Sequence, residues 1–148
     1  MKAIIAVAGI GTRFLPVTKT LPKEMLPIVD KPVVHYLVEE AVASGIKDII
    51  FITSIGKHAL EDYFDRNFEL EYRLREKGKI DLLGMIGDIQ SMANFYYVRQ
   101  KEPKGNAHAI MQAQNLIGNE ACMAMFGDDI VVSEKPCAKQ LIDIYNQY

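Results

Sequence analysis

Four short, largely apolar runs constrain the fold of this chain more than any other feature. They cover residues 2–8, 48–53, 95–99 and 121–126. Continuous apolar runs of this length are typical of strands that are buried on both faces. Segments with helical periodicity separate the runs, which favours parallel strands joined by right-handed crossovers. We therefore predict a doubly wound, Rossmann-like α/β fold with strand order 3-2-1-4 and helices on both faces of a mostly parallel sheet.

Helical periodicity identifies the segments that connect these strands. Asp30 is expected to cap a first helix that carries Pro32 in its first turn and ends at Gly45. A later apolar helix is expected to be interrupted at Gly84 and Gly87. Beyond the first helix, the pattern predicts helices over residues 57–64, 67–78, 80–92, 107–116 and 136–148.

A glycine-rich turn follows the first strand and opens a long loop. Gly9 and Gly11 let backbone N–H groups approach a ligand without obstruction by side chains. Arg13 and Lys23 add positive charge near this turn, and the combination suits the phosphates of a nucleoside triphosphate. The turn is neither a complete dinucleotide fingerprint, because Phe14 replaces the third glycine, nor a P-loop.

The predicted topology brings a second polar segment to the same place. Strands one and four are neighbours in the order 3-2-1-4, and the gap between them is the switch point where α/β proteins bind ligands. Gly9 follows strand one, and Gly127 and Asp128 follow strand four. Asp128 is the candidate ligand for Mg²⁺, which prefers carboxylate and phosphate oxygens in near-octahedral geometry. Asp129 is the alternative ligand.

Together these motifs resemble the signature of sugar-1-phosphate nucleotidyltransferases. The motifs are Gly-x-Gly-Thr-Arg at residues 9–13, Pro-Lys-Glu-Met-Leu-Pro at 22–27 and Asp-Lys-Pro at 30–32. The second motif is most similar to that of the bacterial UTP–glucose-1-phosphate uridylyltransferases. The resemblance covers nearly the whole chain but only about the first half of the family's catalytic domain. Residues 1–148 are therefore predicted to be the nucleotide-binding part of such a domain, with the sugar-binding half absent.

The resemblance also implies roles for individual residues. Arg13 would hold the β- and γ-phosphates, Lys23 would balance charge near the α-phosphate, and Asp128 would bind Mg²⁺. Glu24 would orient Lys23 or its loop. The family's Arg-Gln, followed by Lys-Gly-x-x-His-Ala, is similar to residues 99–109. The residues expected to bind the nucleotide are Ala8, Gly9, Gly11, Thr12, Gln100, Gly105 and His108.

The chemistry of Gln100 supports its assignment, and His108 has an alternative interpretation. Gln100 offers an amide donor and a carbonyl acceptor, which can pair with the imide edge of uracil. His108 is predicted to open a helix near the phosphates, and the alternative is a solvated residue that only caps that helix.

The implied reaction transfers a uridylyl group from UTP to glucose 1-phosphate and gives UDP-glucose and pyrophosphate, with Mg²⁺ as the cofactor. A family member that uses dTTP is an alternative, because thymine and uracil share the same hydrogen-bonding edge. A non-catalytic nucleotide-binding or interaction module is a second alternative. Because the family places its sugar-binding residues downstream, this chain is expected to turn over weakly or not at all unless a second chain supplies the missing half.

Composition excludes other classes of protein. The net charge is −2 and there is no basic block, which argues against a nucleic-acid partner. No apolar run is long enough to span a membrane, and no signal-peptide pattern is present. Cys122 and Cys137 lack metal-ligand spacing, and Cys122 is expected to be a core thiol. A reducing cytoplasm is the expected location.

The last predicted helix suggests a contact with another surface. Leu141, Ile142 and Tyr145 are expected on one apolar face. Such a face predicts either a homo-oligomer or a second chain packed against it.

Overall fold

The computed structural model describes all 148 residues. Its six strands are β1 (Lys2–Ala6), β2 (Pro27–Ile28), β3 (Lys31–Pro32), β4 (Asp48–Thr53), β5 (Asn94–Arg99) and β6 (Cys122–Phe126). Its seven α-helices are α1 (Val33–Ala43), α2 (His58–Phe64), α3 (Phe68–Glu76), α4 (Ile80–Ser91), α5 (Asn106–Met111), α6 (Gln114–Ile117) and α7 (Cys137–Tyr145). Three single 3₁₀ turns lie in the loop after β1, at Thr12–Phe14, Val17–Lys19 and Lys23–Met25.

The central sheet contains four parallel strands in the order β5-β4-β1-β6. The predicted α/β class and the strand order 3-2-1-4 are confirmed. Ala6 lies opposite both Ile52 of β4 and Phe126 of β6, so these strands end at the same edge of the sheet. The short strands β2 and β3 form a separate antiparallel hairpin.

Two helical layers bury the two faces of this sheet. Successive strand residues point to opposite faces, so Ile5 and Phe51 face one layer while Ile4 and Ile50 face the other. The larger core packs β1 and β4 against α1, α2, α4 and α7, and the smaller one packs them against α5 and α6. Within the larger core, the rings of Phe64, Phe95 and Tyr97 stack on Phe51 at 5.4–5.9 Å.

The first helix begins later than predicted. Pro32 pairs with Pro27 in the β2–β3 hairpin and keeps an extended backbone, so α1 starts at Val33. Asp30 lies in the hairpin turn and does not cap the helix, since no side chain makes a capping hydrogen bond there. The predicted end is confirmed, because Gly45 adopts a φ of +89° immediately after the helix.

Other helix predictions need correction. Helix α4 continues through Gly84 and Gly87 without interruption, because an isolated glycine costs a helix only about 1 kcal/mol. The segment predicted as one helix over residues 107–116 is two short helices, α5 and α6. Helix α7 turns only Ala138 and Ile142 towards the core.

Leu141 and Tyr145 of α7 are exposed while Ile142 packs against the core, so the contact predicted for the apolar face of this helix stays a prediction. One prediction about burial fails. Cys122 is exposed and is not a core thiol, because it occupies the first position of the edge strand β6.

None of the seven helices combines the length and the apolar character that crossing a membrane requires.

We predict that Gly127→Ala destabilises the fold. A Cβ atom at Gly127 would lie 2.8 Å from Val7 Cγ1 and 2.9 Å from the Ala6 carbonyl oxygen, and neither neighbour is a flexible chain end. We expect the free energy of unfolding to fall by about 1–3 kcal/mol in chemical denaturation.

Gly84→Ala is the matched control. No atom lies within 4 Å of a Cβ atom at this helical position, so the same change is expected to stabilise the protein by about 0.5–1 kcal/mol. Equal effects of the two substitutions would contradict the close packing described for Gly127.

Candidate active site

A cleft of about 720 Å³ opens at the carboxyl edge of the sheet. The turn after β1, the segment after β5 and the loop after β6 form its walls. Eight of the ten predicted site residues line it, and Arg13 and His108 do not. The eight are Ala8, Gly9, Gly11, Thr12, Lys23, Gln100, Gly105 and Asp128.

The Lys23 side chain runs across the glycine turn. A Cβ atom at Gly9 would lie 3.5 Å from Lys23 Cε, and one at Gly11 would lie 3.1 Å from Lys23 Cβ. Gly11 has a φ of +75°, a conformation that favours glycine. Its carbonyl oxygen accepts a hydrogen bond of 2.7 Å from Thr18 Oγ1. The absence of a side chain at Gly11 therefore leaves room for the lysine stem.

Lys23 ends at the candidate metal ligand. Its Nζ atom donates a hydrogen bond of 2.7 Å to Asp128 Oδ2. The two residues are 105 positions apart in the sequence, and the shared edge of β1 and β6 brings them together. The Asp128 side chain is about half exposed, so this ion pair is open to solvent and to a ligand in the cleft.

The acidic residues of the cleft fit a Mg²⁺ ion that is shared with a nucleotide. No group of three or more His, Cys, Asp or Glu side chains comes together anywhere in the protein, so there is no all-protein metal cage. Asp128 and Asp129 both line the cleft. Mg²⁺ is commonly bound through one or two carboxylates, with water and substrate phosphates as its other ligands. The donor set is therefore adequate for an ion that arrives with a triphosphate.

Gln100 is held in place by two partners on the segment after β5. Its buried side-chain nitrogen donates to the Gly105 carbonyl oxygen at 3.3 Å and lies 2.9 Å from His108 Nδ1. The Gln100 side-chain oxygen accepts no hydrogen bond within the protein, so it is free to accept one from a ligand. The contact with His108 supports Gln100 from behind the wall of the cleft.

Arg13 lies outside the wall of the cleft. It belongs to the exposed 3₁₀ turn Thr12–Phe14 and forms no ion pair. Its predicted contact with the β- and γ-phosphates stays a prediction.

Glu24 has a partner that the sequence did not indicate. Lys57 Nζ donates a hydrogen bond of 2.6 Å to Glu24 Oε2, and both side chains are buried. Glu24 makes no hydrogen bond to Lys23, and its predicted role in orienting Lys23 or its loop stays a prediction. Burial raises the pKa of the Glu24 carboxyl, and the nearby Lys57 ammonium offsets this increase only in part. The only sequence feature that could have pointed to Lys57 is its position shortly after a buried strand.

A second cleft of about 600 Å³ adjoins the first. Five residues line both clefts: Ala8, Gly9, Ile10, Gln100 and Pro103. Glu24 lines only the first cleft and Lys57 only the second, so their ion pair stands between them.

We predict that Gly11→Ala lowers the free energy of unfolding by about 1–3 kcal/mol, because it combines a left-handed backbone with a close contact to Lys23. Gly56→Ala is the control. Gly56 has a φ of +82° and no atom within 4 Å of a Cβ, so this change adds backbone strain alone. Thermal or chemical unfolding measures both, and a smaller loss for Gly11→Ala than for Gly56→Ala would refute the crowding at the turn.

Comparison with known proteins gives the family. The nucleotidyl transferase family profile matches residues 2–146. The chain is 55% identical to the UTP–glucose-1-phosphate uridylyltransferase YngB of Bacillus subtilis over 99% of its own length and 50% of that protein. It is 57% identical to UTP–glucose-1-phosphate uridylyltransferase 1 of Staphylococcus saprophyticus over 97% of its own length and 50% of that protein.

Comparison with solved structures supports the same family. The fold matches a UTP-bound UGPase from Acinetobacter baumannii with a TM-score of 0.93 at 42% identity, over 99% of this chain and 52% of that one. It matches a UDP-glucose pyrophosphorylase complexed with UDP-glucose with a TM-score of 0.84 at 43% identity, over 99% of this chain and 53% of that one. The chain thus spans about half the length of the relatives it matches, and it belongs to the nucleotidyl transferase family.

Proposed function

We propose that this chain provides the nucleotide- and Mg²⁺-binding part of a UTP–glucose-1-phosphate uridylyltransferase. The reaction would be UTP plus glucose 1-phosphate giving UDP-glucose and pyrophosphate. The observation that carries this proposal is the 2.7 Å contact between Lys23 and Asp128, made across the glycine turn in the larger cleft. A cation, a carboxylate and free backbone N–H groups are the partners that a Mg²⁺-bound triphosphate requires.

The relatives support the nucleotide and the sugar. The curated relatives are UTP–glucose-1-phosphate uridylyltransferases, and the solved relatives include one with UTP and one with UDP-glucose. Since these relatives are about twice as long, the choice of glucose 1-phosphate is proposed from similarity alone, and the site described above concerns the nucleotide. A cytoplasmic location is part of the proposal, in keeping with the two free cysteines.

Each wall of the cleft would bind a different part of UTP. The Gln100 side-chain oxygen would accept a hydrogen bond from the uracil imide N–H, and Gly105 would let the backbone approach the base. The turn from Ala8 to Thr12 would lie along the ribose and phosphates, with Lys23 neutralising phosphate charge. Arg13 would reach the terminal phosphates from outside the wall.

Asp128, or Asp129 in its place, would hold Mg²⁺ together with phosphate oxygens. Bound there, the ion would neutralise the negative charge that develops on the triphosphate. The chain itself would align the α-phosphate for in-line attack by the sugar phosphate, and Lys23 would stabilise the charge around it. No protein nucleophile is needed, because the attacking phosphate is already an anion.

We predict that this chain binds UTP with Mg²⁺ more tightly than ATP with Mg²⁺ in calorimetric titrations, because Gln100 presents an acceptor that suits an imide N–H. We expect Asp128→Asn to weaken UTP binding at least about tenfold, or 1.4 kcal/mol. Asp129→Asn tests the alternative ligand, and Asp88→Asn on the distant helix α4 is the control. Equal affinity for ATP, or no effect of either cleft substitution, would count against the proposal.

Titration with dTTP separates the two pyrimidine alternatives. Thymine presents the same imide edge as uracil, so only the 5-methyl group and the missing ribose 2′-hydroxyl distinguish dTTP from UTP. Tighter binding of dTTP would favour a thymidylyltransferase.

We predict that Gly9→Ala leaves the fold intact but weakens UTP binding. The added Cβ atom would meet Lys23 Cε at 3.5 Å, an ordinary contact distance, so the free energy of unfolding should change by less than about 0.5 kcal/mol. A nucleotide that approaches the backbone here would collide with the methyl group, and we expect about a tenfold loss of affinity. Unchanged affinity would mean that the ligand does not approach this turn.

A further inference from the structure

The buried ion pair between Lys57 and Glu24 is the starting observation. The atoms Nζ and Oε2 are 2.6 Å apart, and Glu24 and Lys57 are only 1% and 5% exposed. Removing two charges from water is costly, so apolar residues of similar volume would stabilise the fold equally well or better. The pair is therefore weak evidence for a stabilising role, and a role in positioning the chain is the alternative.

Glu24 depends on Lys57 alone among the side chains of the protein. Its other carboxylate oxygen, Oε1, is buried and has no hydrogen-bond partner. Glu24 Cγ rests against the turn after β6, where a Cβ atom added to Gly127 would lie 3.0 Å away. Lys57 comes from the loop between β4 and α2, so the pair ties the turn Lys23–Met25 to the end of β4.

Lys23 and Glu24 are adjacent, and their side chains lie in different surroundings. The Lys23 stem crosses Gly9 and Gly11 and reaches Asp128, and it is accessible from the cleft. The Glu24 side chain is enclosed behind it. Because the two residues share one 3₁₀ turn, a shift of Glu24 also shifts the backbone that carries Lys23.

We propose that Lys57 is a positioning residue for the nucleotide site: through Glu24 it holds Lys23 over the glycine turn and against Asp128. This role rests on the proposed function only where it concerns the binding of UTP. The position of Lys23 itself can be tested without any ligand.

The test measures how fast Lys23 reacts with an amine-acylating reagent, site by site, by mass spectrometry. Two variants are compared with wild type: Lys57→Met, which leaves Glu24 unpaired, and the double variant Lys57→Met/Glu24→Met, which replaces the pair by apolar side chains. We expect Lys23 to react about tenfold faster in both, because the turn that carries it opens more often. The double variant should also regain the stability lost in Lys57→Met, which separates positioning from folding.

Lys31→Met is the matched control. Lys31 forms an ion pair of the same length, 2.6 Å, with Glu39, and neither residue lines either cleft. Lys23 should react at the wild-type rate in this variant. An unchanged Lys23 rate in the folded double variant, or a rise shared by all lysines, would overturn the proposal.

Calorimetric titration of the same variants with UTP and Mg²⁺ gives the consequence for the site. We expect about a tenfold higher Kd in the double variant and no change in Lys31→Met. If wild type binds no UTP, the proposed function fails, and the acylation rates still decide whether Lys57 positions Lys23. If UTP binds equally well to wild type and to a double variant with a released Lys23, the link to the nucleotide site is refuted.

Discussion

The parallel pairing of β1 between β4 and β6 is the constraint on which the rest of the structure depends. Ala6 lies opposite residues of both neighbours, so three chain segments leave the sheet at one edge. The central strand is buried on both faces, and a shift of one residue would move its core side chains to the wrong layer. The register thus determines which loops form the larger cleft, and it brings Lys23 to Asp128 across 105 residues of sequence.

Small residues at this edge are required by packing as well as by any ligand. Lys23 occupies the space over Gly9 and Gly11, and Glu24 occupies the space beside Gly127. A side chain at Gly11 or Gly127 would displace one of these charged residues, whereas Gly9 has room for a methyl group. The glycines therefore differ: packing requires Gly11 and Gly127, whereas Gly9 is the position at which the proposed nucleotide would approach the backbone.

The two ion pairs of this loop differ in what surrounds them. The Lys23–Asp128 pair is partly exposed. Lys23 could therefore leave Asp128 for a phosphate, and Asp128 could leave Lys23 for a metal ion, at little cost in free energy. The Lys57–Glu24 pair is enclosed, and loss of either partner would leave a buried charge. The first arrangement supports the proposed binding of phosphate and metal, and the second supports the proposed positioning role of Lys57. The loop contributes Lys23 to the first pair and Glu24 to the second, and these two residues are adjacent in the sequence.

Local patterns carried most of the fold and part of the site. Apolar runs and helical periodicity predicted the parallel sheet and its order, because strand burial and short crossovers leave few arrangements. The same reasoning placed the glycine turn and Asp128 at one crevice, and the structure brings both to the larger cleft. It failed at Asp30 and Cys122, where a hairpin and an edge position override the local preference.

The sequence by itself determined the order of the strands, since buried strands with short crossovers leave few arrangements, and the residue types that follow their carboxyl ends. Only the tertiary structure decided which of those residues touch. It paired Lys57 with Glu24, set His108 behind Gln100 and left Arg13 outside the wall of the cleft. These contacts join residues on separate loops, and their distances depend on how the loops pack, which no local pattern encodes.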